Sequence, residues 1–563
     1  MEKPAIPILR FGELYEMYAE ISHVGNGTSF FQAMLDRLQV SLKLDESELT
    51  KIPATGPCVI VANHPFGILE GAALMTRLPQ IRTDVKVLAN SVLASVPEVC
   101  DSFISVDVLS GQSATQKNHR GIRQSIEWLQ QGGLLVVFPA GEVSHLQWNQ
   151  LSVSDPKWST MTGRLIRRTN AVTVPVYIKG ANSPLFQVLG SIHPKLRTAL
   201  LPHEFLNKKN HQVEIRIGSS ITPAQAQQMS SDESFTRYLR WRTYLLSHRQ
   251  AQRSSVPYPV TQIRKALPSI AHEVESLPES RLLVQSGTTQ IFIAAANEIP
   301  RTLDEIGDLR EATFKAVGEG SGKSRDLDEF DRHYLHLFSW NSQSKEVIGA
   351  YRVGRTDEIF RTHGISGLYT STLFRYGKDL LLEINPALEL GRSFVRPEYQ
   401  KSFNALLLLW KGIGRFIVEQ PRYRTLFGPV SISNDYNPLS RKFLIEYLNK
   451  HESDERLSRL VKPRKPFRSF GITPQVQWEL NLEDLSRVIT DIEEDGKGVP
   501  ILLRQYLKLG GKLLAFNVDT QFSRCLDGLV LVDLTRSERS ILQRYMGNEG
   551  LEIFLHHHRS MVA

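Results

Sequence analysis

Cysteine is scarce in this chain of 563 residues: three, at positions 58, 100 and 525, odd in number and far apart. That count leaves no basis for a disulfide framework or a zinc site and suits a reducing compartment. Long uncharged apolar runs are also missing. The most apolar stretch, FNALLLLWKGIGRFIV, is broken by Lys411 and Arg415, and no uncharged run approaches the ~20 residues that cross a bilayer. The start, MEKPAIPILRFGELYEMYAE, has acidic residues and no basic opening before an apolar stretch, so it does not read as a signal peptide. The chain is expected to be soluble or peripheral. Nor does it have the composition of a disordered protein: 41% of residues are hydrophobic and 22% charged, ordinary for folded domains.

What is present is unevenly distributed. Residues 1–150 hold 11 Lys/Arg and 15 Asp/Glu, residues 151–270 hold 17 and 5, and residues 271–563 hold 39 of each, for the net +8 of the whole. A local basic excess is a footprint for an anionic partner: nucleic acid, an anionic membrane surface or an acidic carrier. Aromatic residues do not interleave with the cluster RLIRRTN (164–170) as a stacking platform for nucleic acid requires. A membrane surface, met through the stretch 157–265, or an acyl carrier fits better, and nucleic acid is not expected.

The length predicts two or more domains. In the first half, strand candidates CVIVAN (58–63), VKVLAN (85–90), LLVVFPAG (134–141), AVTVPVYIKG (171–180) and QVEIRIGSSI (212–221) alternate with helical stretches such as NHRGIRQSIEWLQQGG (118–133). That alternation predicts an α/β domain with a largely parallel or mixed sheet. The segment SFFQAMLDRLQVSLKL (29–44) has helical spacing of apolar residues; it either packs on the sheet or lies on a membrane. A Ser-, Pro- and basic-rich stretch at 249–270 reads as a linker, dividing the chain into 1–270 and 271–563. The second unit has strand candidates at 281–296, 345–354 and 388–395, and helices at 302–317 and 402–420.

The stretch VANHPFGILEG (61–71) places His64 after an apolar strand, then a Pro–Gly turn, then Glu70 at the start of a helix. The turn can bring Glu70 back beside His64. A histidine titrates near neutrality and can take a proton from a hydroxyl, and does so well when a carboxylate fixes its other ring nitrogen. The alternative is a histidine that only satisfies a strand end.

These residues resemble the glycerolipid O-acyltransferases, which carry N-H-x-x-x-x-D at a strand end, an arginine block, F-P-E-G and a V-P strand. Here NHPFGILEG (63–71), Arg120, FPAGEVS (138–144) and VPVYIKG (174–180) follow in that order over roughly 45–220. The acid comes one residue later and is Glu70, as in the hemolysin-like branch, and Ala140 replaces the glutamate of F-P-E-G, with Glu142 past the glycine. The resemblance implies that His64 is the base and Glu70 its orienter. It places Asn63, Gly67, Arg120, Phe138, Pro139, Gly141 and Glu142 around the substrate. The altered block, which in the main family holds glycerol phosphate, points to a different lyso-lipid acceptor. No metal-ligand constellation is apparent, since HHHR (556–559) is isolated; no metal and no permanently bound cofactor are expected.

In the second half, FVRPEYQ (394–400) contains V-x-P-x-x-Q between a strand and a long helix. It resembles the run with which GNAT acyltransferases hold the donor's pyrophosphate at a helix N-terminus. The glycines of that run are replaced around Ser402, Phe403 and Ala405, which suits an acyl-carrier-protein donor, with its single phosphate, over acyl-coenzyme A. LELGRSFVRPEYQ (388–400), LLLLWKGIGRF (406–416) and LFGPVSISNDYNPLS (426–440) resemble the amino-acid N-acyltransferases of ornithine-lipid synthesis and, more distantly, acyl-homoserine lactone synthases. Glu383, Glu389 and Asp435 are candidate amine-binding or proton-accepting groups. Arg392, Val395, Gln400, Ser433 and Asn434 accompany them, though Glu389 and Arg392 could be only a strand-end ion pair.

An O-acyltransferase-like half joined to an N-acyltransferase-like half is similar to the bifunctional ornithine lipid synthases. That resemblance implies N-acylation of ornithine by a 3-hydroxyacyl group from acyl-carrier protein (a 4′-phosphopantetheine thioester), then O-acylation of the resulting lyso-lipid. It implies work at the cytoplasmic face of the inner membrane. Rival readings are another amino lipid such as one built on glycine, a lysophospholipid acyltransferase with a degenerate second domain, and a membrane-active hemolysin-like protein.

Overall fold

The computed structural model describes residues 10–91, 93–106, 114–149, 151–249, 268–400, 403–467 and 481–559. The linker read at 249–270, but for its ends, and Ser402 lie outside the described residues. Two compact units divide the chain: Met1–Gln250 with Gln475–Gly496, and Ala251–Pro474 with Lys497–Ala563. Both are α/β.

In the first unit a seven-stranded sheet runs in the order Ser41–Lys43, Gln212–Ile217, Val172–Lys179, Cys58–Ala62, Leu134–Val137, Val85–Asn90, Phe103–Val106. All neighbours are parallel except Val172–Lys179 against Gln212–Ile217, so the sheet is mixed. The central strand Cys58–Ala62 is buried throughout because helices cover both faces of such a sheet. Its C-terminal end therefore opens where loops gather, the usual place for a site in an open α/β sheet. The segment 29–44 resolves into a helix, Thr28–Arg37, and the edge strand Ser41–Lys43. Its Phe30, Phe31 and Leu35 are in the core, so it packs on the sheet and offers no apolar face to a membrane.

A helix from late in the sequence completes this unit. Leu482–Ile492 buries Leu485, Val488, Ile489 and Ile492, and its Asp491 reaches the fully buried Arg242 of helix Asp232–Leu245.

The second unit is built on an eight-stranded sheet in the order Leu282–Ser286, Thr289–Ala295, Leu335–Asn341, Glu346–Arg355, Ala387–Val395, Thr425–Ile432, Cys525–Asp533, Lys512–Asp519. The stretch 281–296 is two strands, not one, because Gly287 (φ 58) turns the chain into a hairpin. The pair Ala387–Val395 and Thr425–Ile432 is parallel and joined over only three residues each, Ala387–Glu389 with Thr425–Phe427. Opposite Ala350–Arg352 the strand Ala387–Val395 carries an extra residue. At this bulge Arg392 takes a positive φ of 49°, a conformation costly for a side chain with a Cβ and typical of functional bends.

Candidate active sites

Asn63 closes the strand Cys58–Ala62: its Nδ2 donates to the Ile178 carbonyl at 2.8 Å and its Oδ1 accepts the Ile178 N–H at 2.7 Å. His64 thus leaves the sheet at a fixed point. The turn that follows needs Gly67, whose φ is +114°; a Cβ there would lie 3.1 Å from Leu201 Cδ2. Glu70 stands in the first turn of helix Leu69–Arg77, where a negative charge is favoured by the helix dipole. Its carboxylate accepts the N–H groups of Phe66 and Gly67, each at 3.0 Å.

His64 Nδ1 and Glu70 Oε1 are 2.7 Å apart, with Glu70 fully buried. The approach is oblique to the ring N–H, so the contact acts chiefly through charge. Burial alone would depress the histidine's pKa, but the Glu70 charge and contact, helped by Asp155, outweigh it and raise it above the ordinary value. Burial likewise opposes the Glu70 charge and is overcome by His64 and the Phe66 and Gly67 amides, leaving Glu70 a stronger acid than usual. With Nδ1 turned to Glu70, Nε2 is the other ring nitrogen, the arrangement a general base requires.

Phe138 stacks on the imidazole, centroids 4.6 Å apart and planes at 27°. Pro139 accepts the Ser159 N–H at 2.9 Å, and Gly141 (φ 67) closes the turn back to Phe138. Glu142 is turned outward into an ion pair with Arg197. Arg120 lies on the exposed side of helix Ala114–Gln130, and among the described residues no hydrogen bond or ion pair ties it to the His64 pair. The structure therefore gathers Asn63, His64, Gly67, Glu70, Phe138, Pro139 and Gly141, and leaves Arg120 and Glu142 outside that contact set.

Asp155 belongs to the site and was not foreseen. Only 1% exposed, it accepts the His64 backbone N–H at 3.2 Å, the Ser144 hydroxyl, and the Trp158 indole N–H at 2.8 Å. Ser144 in turn donates its N–H to the His64 carbonyl at 2.8 Å. One carboxylate thus joins the strand end carrying His64 to the loop carrying Phe138. The sequence signal, D-x-x-W about ninety residues on, is too short to be noticed.

In the second unit Glu389 is 1% exposed and accepts the Thr370 N–H at 2.7 Å and the Tyr334 hydroxyl. Burial raises its pKa despite these bonds. Arg352, also 1% exposed, reaches Asp328 at 2.5 Å and Asp331 at 3.3 Å, and Arg310 meets Asp331 at 2.7 Å. Arg392 is held between the rings of Tyr369 (4.9 Å) and Phe522 (4.8 Å), with Asp326 only at 3.5 Å. The Glu389–Arg392 ion pair considered from sequence is not formed: Glu389 is held by Tyr334 and Thr370, and Arg392 faces Asp326 and Asp328. The signal for this cluster was available in DLDEFD (326–331) and in an arginine within the otherwise apolar strand Glu346–Arg355.

The remaining candidates scatter. Glu383 is in a surface ion pair with Arg456, at 2.6 Å, apart from the Glu389 network. The Val395 carbonyl accepts from Gln400 Nε2 at 2.9 Å, closing the V-x-P-x-x-Q turn on itself. Ser433 donates to the Val317 carbonyl at 2.8 Å and accepts the Asp435 N–H at 3.1 Å, while Asn434 accepts from Arg441. Asp435 lies against Gly318, where a Cβ would meet its carboxylate at 2.3 Å. Beside them, burial pushes Glu319 up to about 8 and Asp527 up to about 7. Among the described residues no group of three or more His, Cys, Asp or Glu could hold a metal ion.

Residues 28–252 match the family described as acyltransferase, and residues 309–411 match the acetyltransferase (GNAT) domain. The chain belongs to the acyltransferases, an acyltransferase domain followed by a GNAT domain. The acyltransferase is 33% identical over 261 residues to a glycine N(alpha)-acyltransferase of Bacteroides thetaiotaomicron, covering 43% of this chain and 76% of the relative. It is 26% identical over 223 residues to a lyso-glycine lipid O-acyltransferase of Phocaeicola vulgatus, covering 37% of this chain and 76% of that protein. An L-ornithine N(alpha)-acyltransferase of Brucella abortus shares 30% identity over 138 residues, 23% of this chain and 46% of that one. The stretch matched to each of the three covers less than half of this chain.

Proposed function

We propose that the acyltransferase makes a two-chain amino lipid in two steps, the first unit and the GNAT unit dividing the labour. The observation that carries this is the buried His64–Glu70 pair, read as an oxygen-acylating base, in a chain that also has a GNAT unit and relatives named for N-acylation. In the GNAT unit the α-amine of ornithine attacks the thioester carbonyl of a 3-hydroxyacyl donor. The C–N bond forms, the C–S bond breaks, and the thiol leaves with the amine's proton. In the first unit the freed 3-hydroxyl gives its proton to His64 Nε2 as its oxygen attacks a second thioester. The ester forms, and the imidazolium returns the proton to the departing thiolate while Glu70 holds the ring. Phe138 keeps the imidazole from turning away from the acceptor.

The donor in this proposal is acyl-carrier protein, supported by a V-x-P-x-x-Q turn without its glycines; the place of action is the cytoplasmic face of the inner membrane, where such donors and lipid acceptors meet. The carboxylates Glu319, Asp435 and Asp527 support a head group with a second cation, as ornithine has. The relatives named for glycine favour glycine as the second reading. Expression in a host lacking such lipids, followed by mass spectrometry of the extracted lipids, decides: a phosphorus-free lipid with an ornithine head group supports the proposal, a glycine head group supports the second reading, and neither overturns both.

A further inference from the structure

Arg392 is the least engaged of the arginines around Asp326, Asp328 and Asp331. Arg310 meets Asp331 at 2.7 Å, and Arg352 meets Asp328 at 2.5 Å and Asp331 at 3.3 Å. Those two carboxylates have backbone duties as well: Asp328 accepts the Phe330 N–H at 3.0 Å and Asp331 the Asp328 N–H at 2.8 Å. Arg392 is left with Asp326 at 3.5 Å and Asp328 at 3.6 Å. Among the described residues neither its Nε nor Asp326 Oδ2 makes a hydrogen bond. Burial also opposes the charge of Asp326, raising its pKa. Arg352 has Nε and Nη2 without an acceptor too, but at 1% exposure it is closed to a ligand. The Arg392 side chain keeps 12%.

The bulge and two rings aim this guanidinium. Its residue takes φ 49°, a backbone strain of the kind kept where a side chain has to be directed. Tyr369 and Phe522 then hold the group at 4.9 and 4.8 Å. Phe522 packs edge-on against Phe314 at 5.4 Å, and the Phe314 carbonyl accepts the Glu319 N–H at 2.8 Å. The Ser523 hydroxyl donates to the Gly320 carbonyl at 3.0 Å, so the turn carrying Glu319 is tied to the ring that holds Arg392. Asp527 accepts the Ser431 hydroxyl at 2.7 Å, and it feels the Arg392 charge, which opposes the upward push of burial on its pKa. A planar cation with unused donors matches a carboxylate or a phosphate by its fork geometry. The neighbouring carboxyls decide between them. They repel a phosphate, and they attract a carboxylate that carries an ammonium on the same small molecule.

We propose that Arg392 anchors the α-carboxylate of the amino acid acylated by the second unit, with Tyr369 and Phe522 fixing the guanidinium and the Glu319 and Asp527 side left for the cationic groups. The proposal rests on the N-acylation reading of this unit and holds for ornithine and glycine alike, since both have that carboxylate. The full chain, Arg392→Met and Arg392→Lys are given 3-hydroxyacyl-acyl-carrier protein with ornithine, glycine or the amide of either. Binding of the same compounds is followed by equilibrium dialysis without donor. From wild type to Arg392→Met the acid-to-amide ratio of kcat/KM should fall by about tenfold to a hundredfold, the scale of a lost hydrogen bond between charged groups. Arg392→Lys keeps the charge without the fork and should fall between the two; should Arg392→Met not fold, the same ratio in Arg392→Lys decides. A ratio unchanged in the variants, or acids bound by Arg392→Met as tightly as by wild type, overturns the proposal. Wild type that acylates none of these compounds, yet binds the acids and loses them in Arg392→Met, overturns only the N-acylation reading.

Discussion

Arg242 Nη2 and Asp491 Oδ2 lie 2.6 Å apart with no exposed surface on either side chain, although 249 residues separate them. Asp491 Oδ1 also accepts the N–H and hydroxyl of Ser219, at 2.6 and 2.7 Å. The carboxylate therefore serves both a buried cation and the end of the strand Gln212–Ile217. A fragment ending near residue 270 leaves that cation behind and takes its partner away.

Asp491→Ala should destabilise the first unit by about 3–5 kcal/mol, the usual effect of leaving one member of a buried pair uncompensated. Hydrogen exchange of peptides from 212–245 reads this directly. A 1–270 fragment should show the same loss and recover when the 475–496 peptide is added; full protection without the peptide would refute the role given to Asp491.

His64→Ala should abolish O-acylation and spare N-acylation, so that lyso-lipid accumulates in cells. Glu70→Gln should retain more activity, since an amide still orients the ring but does not stabilise the imidazolium. Fully acylated lipid at the normal level in His64→Ala would remove His64 from the chemistry.

The O-acylation rate should fall as pH drops through the raised pKa of His64, because the base acts only when neutral. In Glu70→Gln the falling limb should move to lower pH, the charge that raised it being gone. Stability has two limits. The raised histidine contributes below its unfolded pKa, and that contribution is lost as pH rises through the folded one. The depressed Glu70 contributes above its unfolded pKa, and that is lost as pH falls through the folded one. A pH-rate profile of both enzymes, with thermal midpoints across the same range, checks each sign.

Asp155→Asn should lower kcat of O-acylation by about tenfold to a hundredfold, the scale of a small misplacement of a catalytic group, with KM little changed. Asp155 positions His64 and Ser144 and touches no reacting atom. Because its charge also supports the imidazolium, the pH limb should shift downward as well. An effect on KM alone would make it part of the binding surface.

The ratio of ornithine to glycine N-acylation should rise between roughly pH 7 and 8, as Asp527 and Glu319, held neutral by burial below about 7 and about 8, become charged. Deprotonation of the attacking α-amine raises both rates alike, and glycine has no second cation to add to it. Glu319→Gln should weaken ornithine use and leave glycine use unchanged; equal effects on both amino acids would deny these carboxyls any part in head-group choice.

The sequence by itself determined what is local. His64, its turn and Glu70 are within seven consecutive residues, so strand, glycine turn and helix start bring the imidazole and the carboxylate together without help from elsewhere. The strand–helix alternation is legible for the same reason: apolar runs, glycines and prolines act on their immediate neighbours. The hairpin at Gly287 was missed because a turn of two residues barely interrupts an apolar run. Tertiary structure alone decided everything that depends on distant segments. It placed Asp155 against the backbone of His64 and sent Glu383 to a surface ion pair while burying Glu389. It also packed Leu482–Ile492 into a unit whose other elements come before residue 250, and left Leu185, Val188 and Ile192 in water while hiding Phe30 and Phe31. The physical reason is the same in each case. A side chain's charge, exposure and partner are properties of what packs against it, and in this chain those neighbours are often tens to hundreds of residues away.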